Sequence, residues 1–125
     1  MKRSAATGAI LVFSFASCAV IEAADLFTSH LLVGGSNIFQ CRILNVSTDE
    51  RTVQMRIKNA ATGATVNTIK QTLAGGRGTA SFIRAAEGGE DFYCQFTVSG
   101  RKANYRAVGC TAAAGGIAQI CIPAE

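Results

Sequence analysis

The chain has 125 residues, with twelve Lys plus Arg against eight Asp plus Glu, one His, five Cys, two Tyr and no Trp. After removal of a leader, that length makes one small domain. The basic residues are scattered and no tryptophan can stack on bases, a surface that serves solubility and argues against nucleic acid as a partner.

Met1, Lys2 and Arg3 lead into "AILVFSFASCAVI", and no charge occurs from Ala5 to Ile21. A basic start, a short apolar run and small residues at Ala23 and Ala24 predict a secretory signal peptide helix over residues 1–24, followed by a domain over 25–125. A run this long is at the short edge of a membrane span, so an anchor is the alternative. Cleavage suits the bond after Ala23 or after Ala19, and suits Ala24 less because Glu22 then stands at −3. The mature N-terminus is expected between Val20 and Asp25. "FASC", residues 15–18, also resembles a bacterial lipobox with Phe15 where Leu is usual, which makes Cys18 a candidate lipidation site. Removing Lys2, Arg3 and Glu22 leaves ten basic and seven acidic residues, a net of +3.

From there the chain reads as short alternating segments between turn signals. "DLFTSHLLV" ends at Gly34-Gly35, and "NIFQCRILNV" at "STDE". "RTVQMRIKNA" sets Val53, Met55 and Ile57 against Thr52, Gln54, Arg56 and Lys58, the cleanest period of two. "TVNTIKQTL", "TASFIRA", "DFYCQFTVSG", "NYRAVGCT" and "IAQICI" follow, separated by "AGGRG", "EGGED", "SGRK" and "AAAGG". Turn signals at this spacing predict an all-β protein, an antiparallel sandwich of seven or eight strands, according to whether "DLFTSHLLV" is regular. The strand count suits an immunoglobulin-like sandwich. Pro123, the single proline, stands near the end and interrupts no central strand.

Without Cys18 the cysteines are Cys41, Cys94, Cys110 and Cys121, an even number in an exported chain, which reads as two disulfides. Cys94 shares parity with Phe92, Phe96 and Val98, and Cys41 with Phe39 and Ile43. Both therefore point toward a core, as partners across a sandwich. Cys110 and Cys121 lie on the last two segments, joined by a short turn. Of the three connectivities, 41–94 with 110–121 is favoured because each of the others crosses that hairpin. Chain entropy assigns about 4 kcal/mol to the longer loop and about 3 to the shorter. Redox or metal chemistry is the alternative; no CxxC occurs and the spacings match no zinc pattern.

"CRILNVS", a threonine-rich turn before "TLAGGRG", "FYCQFTVSG", "NYRA" and a late cysteine resemble a group of small exported bacterial β-sandwich proteins without an assigned activity. The chain is similar to the immunoglobulin family in its Cys-to-Cys span and the aromatic before Cys94, and lacks the tryptophan that packs on that family's bridge. The resemblance implies architecture and no catalytic residue.

No GxSxG, HExxH or phosphate-loop context occurs, and "GGRG" reads as a turn. His30, the one imidazole, reads as a surface or packing residue without a partner group. No catalytic residue, metal or cofactor is assigned. Glu87, Glu90 and Asp91 in "EGGED" form an acidic hairpin turn that could instead hold Ca²⁺ or serve an envelope hydrolase, and "TDE" at 48–50 is a smaller acidic cluster. Asn45-Val46-Ser47 is a glycosylation sequon, read here as a strand end entering a turn. Arg101, Lys102 and Arg106 in "GRKANYR" form a candidate polyanion patch. The apolar residues of "DLFTSHLLV" make an edge strand that could pair with a partner. The expectation is a secreted or periplasmic, non-enzymatic module that binds a protein or cell-surface ligand or has a structural role at the envelope, with no transmembrane span after cleavage. An envelope hydrolase and a polyanion binder are the alternatives.

Overall fold

A computed structural model describes residues 23–34, 37–84, 89–112 and 119–125. The expected signal peptide with Cys18 lies outside the described residues, except for Ala23 and Ala24; Glu87 also lies outside them.

Among the described residues the alternating segments form nine strands: β1 (Ala23–Phe27), β2 (Leu31–Val33), β3 (Ile38–Asn45), β4 (Arg51–Asn59), β5 (Thr65–Leu73), β6 (Gly78–Arg84), β7 (Glu90–Ser99), β8 (Tyr105–Ala112) and β9 (Gln119–Pro123). They make two antiparallel sheets packed as a sandwich. The five-stranded sheet runs β1-β7-β4-β5, with β2 also on β7, and the four-stranded sheet runs β6-β3-β8-β9. Residues alternate across a strand, so each sheet turns one parity inward. On β4 these are Val53, Met55 and Ile57, and on β7 Phe92, Cys94, Phe96 and Val98, all buried. From the opposite sheet Phe39, Cys41 and Ile43 meet them, and the Phe39 and Phe92 rings lie 5.6 Å apart. Cys41 of β3 is bonded to Cys94 of β7 across the sandwich, with Cα atoms 5.8 Å apart, and Cys110 to Cys121 between β8 and β9.

The ninth strand comes from the N-terminal segment, which is two strands end to end along β7. Phe27 faces Gln95 and Leu31 faces Phe92. Residues 28–30 therefore oppose only 93 and 94, one residue too many, as in a β-bulge. Thr28 closes the gap: its N–H donates to the Cys94 carbonyl at 3.0 Å, and its Oγ1 accepts the Cys94 N–H at 2.9 Å. Ala23 and Ala24, the last two residues of the expected signal peptide, pair with Ser99 and Val98 in β1.

At one end of the sandwich three sheet-to-sheet connections meet at Asn45. Its N–H donates to the Arg77 carbonyl, its carbonyl accepts Gly76 N–H, and Val46 N–H reaches the Asn104 carbonyl. The β7–β8 connection is a corner whose short 3-10 turn, Lys102–Asn104, leads into Tyr105, and the Tyr105 hydroxyl donates to the Ser99 carbonyl. Beyond β9, Glu125 exchanges two backbone hydrogen bonds with Phe27. The last residues thus tie the edge of one sheet to the other.

Candidate functional site

An antiparallel sheet with one buried face ordinarily turns polar residues outward. On the five-stranded sheet the central strands β4 and β7 obey: they turn Thr52, Gln54, Arg56, Gln95 and Thr97 outward, with Gln54, Arg56 and Thr97 linked to one another and to Asp25, while Phe27, Leu32 and Val66 are exposed on the outer strands β1, β2 and β5. Arg56 donates to Gln54 Oε1 at 2.9 Å and Thr97 Oγ1, and Thr97 donates to Asp25 at 2.7 Å.

On the four-stranded sheet apolar residues reach the outer face of the central strands as well, with Leu44 on β3 and Val108 on β8. Cross-strand rows on its outer face join Phe82 to Gln40 and Cys110, Ala80 to Arg42 and Val108, and Gly78 to Leu44 and Arg106. Phe82 is 63% exposed and Leu44 39%. None of the four strands contains an Asp or Glu, whereas the other sheet holds Asp25, Glu90 and Asp91. Residues 42–44, 78–80, Arg106 and Val108 line an open groove of about 550 Å³ whose floor is small because Gly78 and Ala80 stand opposite Leu44 and Arg42. The Arg42 side chain has no hydrogen bond or ion pair among the described residues. Arg106 is held by its Nη1, which donates to the Tyr105 carbonyl at 2.9 Å and the Ala103 carbonyl at 3.2 Å.

The expected basic patch is divided. Arg101 and Lys102 stand exposed at the β7–β8 corner. Lys102 and Arg106 line a second cleft of about 580 Å³ together with Pro123 and Glu125, and Arg101 lines neither hollow. Arg42, far upstream in sequence, is the cation that the fold sets diagonally across from Arg106. Its signal was available in outline, since an arginine alternates with Cys41 and Ile43 on a strand otherwise poor in charge.

His30 has a partner among the described residues: its Nδ1 lies 2.6 Å from Asp91 Oδ2. The contact exists because the bulge at residues 28–30 lies beside β7, where Leu32 pairs with Asp91. His30 is exposed, and Asp91 Oδ1 is buried without a partner among the described residues. No hydroxyl or thiol is hydrogen-bonded to His30 among the described residues, and no group of three or more His, Cys, Asp or Glu is placed there to hold a metal ion. "GGRG" is the turn between β5 and β6; at Gly75 a Cβ would come within 2.6 Å of the Thr48 carbonyl oxygen, which leaves room for glycine alone. The sequon residue Asn45 ends β3 and is fully buried.

No family model, no curated protein and no solved structure matches the chain. The two disulfides suggest an oxidising, extracytoplasmic location. Among the described residues no helix is long and apolar enough to cross a membrane.

Proposed function

We propose that this chain is an exported, non-enzymatic binding module of the cell envelope or extracellular space, and that it binds through the outer face of its four-stranded sheet. The observation that carries this reading is a combination found on that face: Phe82, Leu44, Ala80 and Val108 beside Arg42 and Arg106, without a carboxylate on the sheet. An exposed apolar patch rimmed by charge marks an interaction surface on a small domain. Export is supported by the basic and apolar N-terminus and by the disulfides. Cleavage after Ala19, leaving Val20 first, keeps β1 whole, whereas cleavage after Ala24 removes two paired residues. Mass spectrometry of the exported protein reads that terminus directly, and a diacylglycerol mass on Cys18 would establish the lipoprotein form.

The architecture is immunoglobulin-like in its centre. What supports this is a bridge between the two sheets from β3 to β7, the hairpin β4–β5 beside β7, and β6 beside β3. The terminal strands trade places relative to that family: β1 and β2 take the edge beside β7, and β8 lies beside β3.

Two pairs of substitutions test the binding face. Phe82→Asp and Arg42→Glu should release the protein from the envelope fraction of its host, while Thr52→Asp and Gln54→Glu on the other sheet should leave it retained. Equal behaviour of the two pairs would defeat the assignment. The second reading is an envelope hydrolase, favoured by the 2.6 Å contact of His30 with Asp91 and the unpartnered Asp91 Oδ1. A substrate screen that finds turnover, abolished by Asp91→Asn, would establish it over the first.

A further inference from the structure

We infer that the groove beside Arg42 and Arg106 binds the anionic headgroup of a lipid, with Phe82 and Leu44 set against the apolar boundary of a membrane; this rests on the binding face proposed above. Arg42 and Arg106 are diagonal neighbours on adjacent strands, since Arg42 pairs with Val108 and Leu44 with Arg106. Such neighbours stand roughly 7–8 Å apart, close enough for two long side chains to converge on one anion. Guanidinium groups suit phosphate, which they bind through paired N–H donors. Arg106 is already oriented by two carbonyls through Nη1, and its Nε and Nη2 have no partner among the described residues. The Arg42 side chain has none at all there. With no Asp or Glu on the four strands, nothing on the sheet competes for either cation.

The same features select among occupants. A second copy binding face to face would bring four arginines into one interface with no carboxylate on either sheet to pair them. A peptide or folded partner needs about one hydrogen bond per 100–200 Å² of contact. Here the β3 and β8 backbones are consumed by the ladders on both sides, and Gln40 is the one uncharged hydrogen-bonding side chain in the rows that hold Phe82, Ala80 and Gly78. An anionic lipid needs less: a phosphate between the arginines and apolar contact with Phe82 and Leu44, which are 63% and 39% exposed. Surface-bound proteins combine these two terms, buried apolar area and attraction of basic residues to anionic headgroups.

The test uses the full mature chain and sedimentation with vesicles. Binding is expected to vesicles in which phosphatidylglycerol replaces part of the phosphatidylcholine, and not to phosphatidylcholine alone. Arg42→Gln and Arg106→Gln should each weaken it roughly tenfold, and Phe82→Ser several-fold, with the fold checked by near-ultraviolet circular dichroism. Lys70→Gln, the same charge change on the other sheet, should alter it less than about twofold. A Lys70→Gln loss equal to the arginine losses would reduce the effect to net charge and overturn the proposal. So would inorganic phosphate that displaces the vesicles at the lipid's own concentration, since the ligand would then be a free anion. Polyglutamate bound through Arg42 and Arg106 without vesicle binding would overturn the lipid and leave the binding face standing. Binding unaffected by all three face substitutions would overturn both.

Discussion

Asn45 has no exposed surface, and every polar atom of its side chain is used. Nδ2 donates to the Asp49 carbonyl at 2.8 Å, the Leu73 carbonyl at 3.1 Å and the Ala74 carbonyl at 3.3 Å, and Oδ1 accepts from the N–H and hydroxyl of Ser47. The residue that reads in sequence as a sequon is therefore a tie between loops, and the folded protein does not present it to solvent. Truncation leaves several of these groups buried and unpaired, so Asn45→Ala should lower stability by about 3 kcal/mol. Asn45→Asp, which keeps the shape and loses the donor, should cost at least as much. Urea unfolding measures both, and a midpoint near that of the parent would contradict the role. Gly109 is constrained by space, not by its backbone angle. A Cβ there would lie 3.1 Å from Cys94 Sγ and 3.2 Å from Thr28 Oγ1. The sulfur is bonded to Cys41 and cannot retreat, so Gly109→Ala should destabilise by about 1–3 kcal/mol in the same measurement.

The two bridges differ at the scale of the strands they join. Cys41 and Cys94 are both 0% exposed, and Cys121 is exposed on the edge strand β9. Exchange needs access to a sulfur. Mild reductant on the folded protein should therefore open 110–121 first, and 41–94 only with unfolding; alkylation followed by peptide mapping would show the order, and simultaneous opening would contradict it. Cys94→Ala should cost about 2–5 kcal/mol, and the Cys41→Ala, Cys94→Ala double replacement about the same, because one bridge is lost in either case. These strands were the most legible part of the chain. Val53, Met55 and Ile57 in β4, and Phe92, Cys94, Phe96 and Val98 in β7, recur at every second position, and each of them is buried. What the sequence hid depends on partners brought from elsewhere. The bulge at residues 28–30 has no local mark, since Thr28 works by pairing with Cys94, and the His30–Asp91 contact follows from that bulge. The run "GRKANYR" is compact in sequence and turns a corner in space, so its three cations do not share one hollow. Arg42 and Arg106 come together only through the β3–β8 register.

The whole molecule is two sheets with different outsides. One carries a polar lattice across its central strands whose side chains already satisfy one another, as in Asp25, Thr97, Arg56 and Gln54, with its exposed apolar residues Phe27, Leu32 and Val66 on the outer strands. The other combines exposed apolar groups with two arginines whose donors are largely unspent. A domain of about 100 residues has a thin stability margin, and the buried bridge and the Asn45 tie offset the placement of apolar residues outside the core. The central claim is that ligand contact belongs to this second face. The most direct measurement is the shift of backbone amide resonances as short-chain phosphatidylglycerol is titrated into the labelled protein. Shifts should concentrate at Gln40, Arg42, Leu44, Ala80, Phe82, Arg106 and Val108, with Gln54, Arg56, Gln95 and Thr97 unmoved. Shifts concentrated on β4 and β7 instead, or the absence of any shift, would contradict it.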